Sequence, residues 1–268
     1  MKRVRLQAHA GAFYPNSADE IRGLIEHFNK ILDGAIKLND ILCNAPAFIV
    51  PHAGYIYSGF SANVAYRILK TQDIDSVVVI GPSHRVYLDG VSISDFDEYE
   101  TPFGNLSIDS DIVADISKLF DISFVPKVHQ EHSTEVQMPL LKYYKPDIKV
   151  VEMVYGNVST EVLSKIIDYL LDKPKVAILI STDLSHFYDI NRAKILDGIC
   201  LEAIYKLDIN LLNQGCEACG KIGVEAMIKS AKRANLVPKI LDYRTSADSS
   251  GNKDEVVGYT SVAFCKEI

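Results

Sequence analysis

The sequence predicts an α/β protein of one domain, spanning residues 1–268, with a mixed, largely parallel central sheet flanked by helices. Three observations carry this expectation. Short runs rich in Val, Ile and Leu sit between turn residues, the pattern of strands buried on both faces. Segments of helical periodicity alternate with them, as βαβ construction requires. Three of the runs end on a histidine: residues 47–50 lead to His52, 76–80 to His84 and 176–180 to His186. Parallel strands gather their carboxyl ends on one rim, where open α/β sheets bind their ligands. With only seven histidines in the chain, that placement marks a site.

The elements run in order along the chain. Ser17 to Glu20 reads as a capping box, and Ile21, Leu24, Ile25, Phe28, Ile31 and Leu32 recur on one face, which predicts a helix over 18–33. The strand before His52, a helix over 59–70 and the strand before His84 form a right-handed βαβ unit. Residues 91–94 and the turn at 101–105 read as short antiparallel strands or a loop excursion. A helix over 109–120 and a weak strand over 123–128 then deliver His129 and His132. Thr134 and Gln137 offer a second capping box, with Pro139 expected to kink or interrupt a helix so near its start. Strands over 149–155 and 175–181 bracket a helix over 159–171. Two or three helices fill 191–235, and strands over 239–246 and 256–265 close the chain.

Composition bounds the partners. A formal net charge of -7, with Lys and Arg scattered, predicts neither nucleic acid nor an anionic membrane as a partner. No apolar run approaches the roughly 20 residues of a membrane span, and no secretory leader is evident, so the expected location is cytoplasmic. Five cysteines are too few and too irregular for a disulfide framework, and Cys43, Cys200 and Cys265 read as inert thiols.

The chemistry-bearing residues are His52 and His84, imidazoles held at strand ends and suited to a transition metal. A histidine in such a loop can also simply bond a nearby carbonyl, and it is the pair that favours a site. At the third strand end Asp183 precedes His186 by three residues, a spacing that serves an orienting pair or a general acid and base. The plainer alternative has Asp183 capping a turn and His186 packing on Phe187 and Tyr188. In the run 129–135, His132 is the member expected at the site, while His129 and Glu131 read as solvated. Cys219, flanked by Gly220 at the start of a helix, is a plausible third ligand, and Cys216 a neighbour able to pair with it under oxidation. His9 ranks low, and His27 is expected to be exposed.

Ala10-Gly11-Ala12-Phe13-Tyr14-Pro15, Pro51-His52-Ala53-Gly54-Tyr55, Gly81-Pro82-Ser83-His84, Glu131-His132-Ser133-x-Glu135, Ser181-Thr182-Asp183-x-x-His186, Cys219-Gly220 and Gly258-Tyr259 together resemble the Memo (mediator of cell motility) family. The resemblance covers nearly the whole chain. It implies a fold similar to the class III extradiol dioxygenases, with His52 and His84 as two metal ligands and Cys219 where the dioxygenases carry a carboxylate. A thiolate there favours copper, or iron or zinc in an altered electronic state. It also implies that Asp183, His186 and His132 line the pocket. Animal members are described as binding phosphotyrosine peptides and as metal-dependent redox proteins, and microbial members tend to be encoded beside radical SAM enzymes.

Two functions are expected on these grounds. The first is a metal-dependent redox protein or oxidoreductase with Cu or Fe on His52, His84 and Cys219. In it Asp183 and His186 orient ligands or move protons, and His132 contacts an unknown small-molecule substrate or peptide. The second is a binding module that turns nothing over and recognises a peptide, a small anion or a radical SAM partner. A zinc hydrolase ranks last, because a thiolate suits that chemistry less often than a third imidazole or a carboxylate.

Overall fold

The computed structural model describes residues 2–35 and 42–267. Four strands form the parallel centre of the sheet: β2 (Ala47–Val50), β3 (Ser76–Pro82), β7 (Lys149–Tyr155) and β8 (Val176–Ser181). Their order is β2-β8-β3-β7, with every neighbouring pair parallel. Nearly every residue in them is buried, which is why they read as continuous apolar runs without alternation. Antiparallel strands extend both edges: β11 (Val256–Lys266) and β10 (Leu236–Thr245) beside β2, and β4 (Val91–Ile93) beside β7. The sheet is therefore mixed, and its parallel part lies at the centre.

The other strands are short. β1 (Val4–Arg5), β5 (Glu98–Tyr99) and β6 (Leu106–Ser107) make a small separate sheet, and β9 (His186–Tyr188) pairs with β11.

Helices flank the sheet. α1 (Ala18–Ala35) buries Ile21, Ile25 and Leu32 completely, and each such side chain contributes about 1.5–3 kcal/mol. α2 (Tyr55–Leu69) packs on β10 and β11 with α1 beside it. α3 (Ser110–Phe120) follows β6, and its Asp109 cap accepts from the Ile112 amide at 3.3 Å. α4 (His132–Glu135) and α5 (Gln137–Tyr144) precede β7. α6 (Thr160–Leu171) and α9 (Lys221–Arg233) pack together and against β8. α7 (Ile190–Lys206), α8 (Ile209–Leu212) and α10 (Ala247–Ser250) complete the set. No helix among the described residues is long and apolar enough to cross a membrane.

Several expectations need correction. Residues 123–128 form no strand; Pro126 instead opens a 3-10 turn, Pro126–His129, where its missing amide is not required. The second helix begins at Tyr55, not near 59, because Gly59 fits inside it against Phe28. The helical run is interrupted at Val136, between α4 and α5, and Pro139 itself lies in the first turn of α5, where its missing amide is not required. Gln137 closes no capping box: its amide donates to Pro51 O at 2.9 Å and Ser181 Oγ at 3.0 Å, and the cap of α4 is Glu131. Four cysteines are paired, Cys43 with Cys265 and Cys200 with Cys216, leaving Cys219 as the free thiol among the described residues. These pairs join partners 222 and 16 residues apart, contacts that spacing along the chain does not reveal.

Candidate metal centre

The three histidine-bearing strand ends lie side by side because β8 enters the sheet between β2 and β3. His52 follows β2, His84 follows β3, and His132 opens α4, which stands over the end of β3. Gly81 makes that close approach possible: a Cβ on it would lie 2.6 Å from Ser133 Oγ and 2.9 Å from Thr134 Cγ2. Ser133 Oγ donates to Pro82 O at 2.8 Å and fixes the helix there. As a result His52, His84 and His132 each offer a ligand nitrogen, and these nitrogens all lie within 4.8 Å of one another. The ring centroids are 5.1 Å apart for His52 and His84, 5.4 Å for His52 and His132, and 4.6 Å for His84 and His132.

Hydrogen bonds settle the protonation of His52. Ser181 Oγ donates its proton to Ser133 O and accepts from Gln137. At 3.0 Å from His52 Nδ1 it can therefore only accept again, so Nδ1 carries the proton and Nε2 the lone pair. Burial, reinforced by His84 and His132, holds the His52 pKa well below its ordinary value, and the ring stays neutral. Nε2 lies 3.2 Å from Cys219 Sγ.

Two segments are interlocked around that thiol. Cys219 N donates to Asp183 O, Asp183 N points at Cys219 Sγ at 3.3 Å, and Gly220 N donates to Thr182 Oγ1 at 2.9 Å. Burial and the neighbouring Asp183 carboxylate push the thiol up to about 12. The cysteine is thus a neutral donor to His52, and desolvation outweighs any lowering by the start of the following helix. Asp183 is buried and accepts from the amides of His52, at 2.7 Å, and Ala53. Desolvation nevertheless raises its pKa to about 7. One of its oxygens stands 4.0 Å from His52 Nε2.

His186 is half-buried at the edge of this group, with its ring 5.8 Å from that of Phe187. It stands outside the set of ligand nitrogens formed by His52, His84 and His132. Burial lowers its pKa. On the opposite side Phe13 lies 4.6 Å from the His132 ring, and Phe13 O receives the Tyr55 amide at 2.8 Å, so the N-terminal motif forms a wall of the site.

Three expectations on nearby residues fail. Glu131 is 2% exposed and His129 1%, so neither is solvated. Glu131 Oε2 accepts from the His84 amide at 2.8 Å, and its Oε1 lies 3.0 Å from His84 Nδ1 and 2.8 Å from His132 Nδ1. Burial alone would raise this carboxyl, but the close His132 ring and the bonds from His84 hold it far below the carboxylate range. His129 pairs instead with Glu152 at 2.6 Å, beneath the site. His9 is buried 5.8 Å from the His132 ring, whereas His27 is exposed as expected. The missed signal for Glu131 is its place as an acidic N-cap immediately before a site histidine. Cys216 is bonded to Cys200 and is not a partner for Cys219.

The family model for Memo-like proteins matches residues 5–263. A MEMO1 family protein of Sulfurisphaera tokodaii is 34% identical, over 97% of this chain and 99% of its own. One from Methanobrevibacter smithii is 33% identical over 97% and 99%, and one from Thermoplasma volcanium 31% over 99% and 100%.

Proposed function

From membership of the Memo family, to which this chain belongs, we propose that it is a metal-dependent redox protein or oxidoreductase acting on a small molecule. The observation that supports this most is the set of three imidazoles whose ligand nitrogens lie within 4.8 Å of one another. His52 and His84 are the central pair of ligands. His132 completes a three-imidazole set, and Cys219 adds a sulfur donor once its proton is displaced. The residues fit a transition ion on their own chemistry: imidazoles, with the Nδ1 atoms of His52 and His84 hydrogen-bonded, beside a soft sulfur suit copper or iron, with zinc as the non-redox option. When bound, copper or iron would supply one-electron chemistry.

The chain's own groups do the remainder. Asp183, with its carboxyl raised to about 7, holds or releases a proton near neutrality beside His52. His186, on the half-open edge, orients a ligand or relays that proton. Phe13 covers one face of the His132 ring.

Metal analysis of tag-free protein tests the reading. One ion per chain is expected, lost in the His52→Ala/His84→Ala double variant; unchanged metal content in that variant sinks the proposal. Comparing His132→Ala with Cys219→Ser then assigns the third ligand, since the stronger loss of affinity marks it.

A second reading, a binding module for a peptide, a small anion or a radical SAM partner, is favoured by apolar side chains displayed near the site. Phe187 is 72% exposed with a φ of 63°, and Ile56 is 64% exposed. A bulky residue held in the left-handed region costs about 1–3 kcal/mol, which a recognition role would account for. Turnover abolished by Cys219→Ser would reject it.

A further inference from the structure

We propose that Glu131 is a positioning residue that sets the tautomer of two site imidazoles with one carboxylate. The inference rests on the metal-centre reading for its consequence, though not for its geometry. Glu131 is 2% exposed, and its ion-pair partners among the described residues are the rings of His84 and His132. No Lys or Arg is paired with it there. A charge that deep requires donors. Two are backbone amides: His84 N on Oε2 at 2.8 Å and Ser133 N on Oε1 at 3.2 Å. With the amides satisfied, Oε1 still faces His84 Nδ1 at 3.0 Å, and an ionised carboxylate can only accept. Nδ1 of His84 therefore holds the proton, and Nε2 is left as its free lone pair.

His132 is the less settled partner. Its Nδ1 is 2.8 Å from the same Oε1, yet the approach lies outside hydrogen-bonding directions, and this buried nitrogen has no other partner. A small rotation of a ring that is 15% exposed would complete the bond. Glu131 thus does for His84 what Ser181 does for His52, and completing the His132 bond would leave all three rings with the proton on Nδ1 and Nε2 presented. A carboxylate behind a ligand imidazole also raises its basicity, and losing such a partner typically lowers metal affinity about 10–100-fold. Glu131 is in addition the N-cap of α4, so the residue that orients the rings also starts the helix bearing one of them.

The test uses the full chain as wild type and as Glu131→Gln, which keeps the shape of the side chain, with Glu131→Ala as a second variant. Long-range proton–nitrogen NMR of the imidazoles without metal reads the tautomers directly. Wild-type His84 is expected as the Nδ1–H form, and in Glu131→Gln it should move toward a mixture. Cobalt(II) titration of the same proteins should show one ion per chain in both, with affinity lowered about 10–100-fold in Glu131→Gln and shifted visible bands. Failure of the wild type to take up cobalt or zinc counts against the metal centre alone, and the tautomer spectra then decide the role of Glu131. An Nε2–H His84 in the wild type, or identical tautomers and affinities in wild type and Glu131→Gln, overturns it.

Discussion

Replacing Gly81 by Ala should open the site from a position that contributes no donor atom. The added Cβ would lie 2.6 Å from Ser133 Oγ, 2.9 Å from Thr134 Cγ2 and 3.2 Å from Ser133 Cβ. Each is several tenths of an ångström inside the ~3.5 Å at which such atoms meet comfortably. Neither neighbour can swing aside freely. Ser133 Oγ is bonded to Pro82 O, Thr134 Oγ1 to Glu152, and both side chains are fully buried. The helix α4 must retreat as a unit, or a buried hydrogen bond must break. Overpacking costs about 1–3 kcal/mol, and a buried polar atom left unpaired costs about the same again. We expect about 2 kcal/mol of lost stability if the helix retreats with its bonds intact, and about 4 kcal/mol if a buried hydrogen bond also breaks, from the mid-range of each cost. Because His132 immediately precedes Ser133, the retreat also separates it from His84. Metal sites tolerate errors of only about 0.2 Å in ligand distance, so affinity should fall with stability. Urea denaturation of metal-free protein reads the first effect and metal titration the second. Gly23→Ala in α1, where nothing lies within 4 Å, is the control and should gain up to about 1 kcal/mol. A Gly81→Ala protein with unchanged midpoint and unchanged affinity would refute the idea that close contact between β3 and α4 builds the site.

Three further outcomes are expected. Burial raises Glu152 to about 8 and lowers His129 to about 3, so the buried pair is neutral near pH 7. The stability that Glu152 contributes is complete below the ordinary carboxylate range and is lost as pH rises through about 8. Glu152→Gln should therefore flatten the decline in stability between the ordinary carboxylate range and about pH 8 in a denaturation series, and parallel curves for the two proteins would contradict this. Arg5→Met strands the Glu135 carboxylate, which otherwise binds Arg5, Tyr14 Oη and the Ala8 and His9 amides. Breaking such a buried pair costs about 3–5 kcal/mol, partly restored by adding Glu135→Leu, and a loss below about 1 kcal/mol in urea titration argues against it. Replacing Cys200 and Cys216 together by Ser removes a loop closure worth about 3 kcal/mol and frees the segment that delivers Cys219. Equal thermal midpoints under non-reducing conditions would count against that link.

Local physics made much of this protein legible from its residues. The buried strands announced themselves because a strand covered on both faces is apolar at every position, as 76–80 is. Helix starts at Asp109 and Ser159 were legible because capping is a contact within a few residues. His52, His84, His132 and Cys219 stand out as ligand-type residues beside turns; the fold gathers the three imidazoles and sets Cys219 beside His52. Other features depend on partners far along the chain. Only the insertion of β8 between β2 and β3 decided that the three strand ends adjoin. The disulfides, the burial of Glu131 under two rings and the burial of His129 against Glu152 arise from segments distant in the chain, up to 222 residues apart. Charge is the deepest example: Glu131 looks like a solvated acid in sequence, and only packing shows which donors replace the water it lost. Residue order alone determines which groups are available, whereas the dielectric and the hydrogen bonds around each group exist only once distant segments have met.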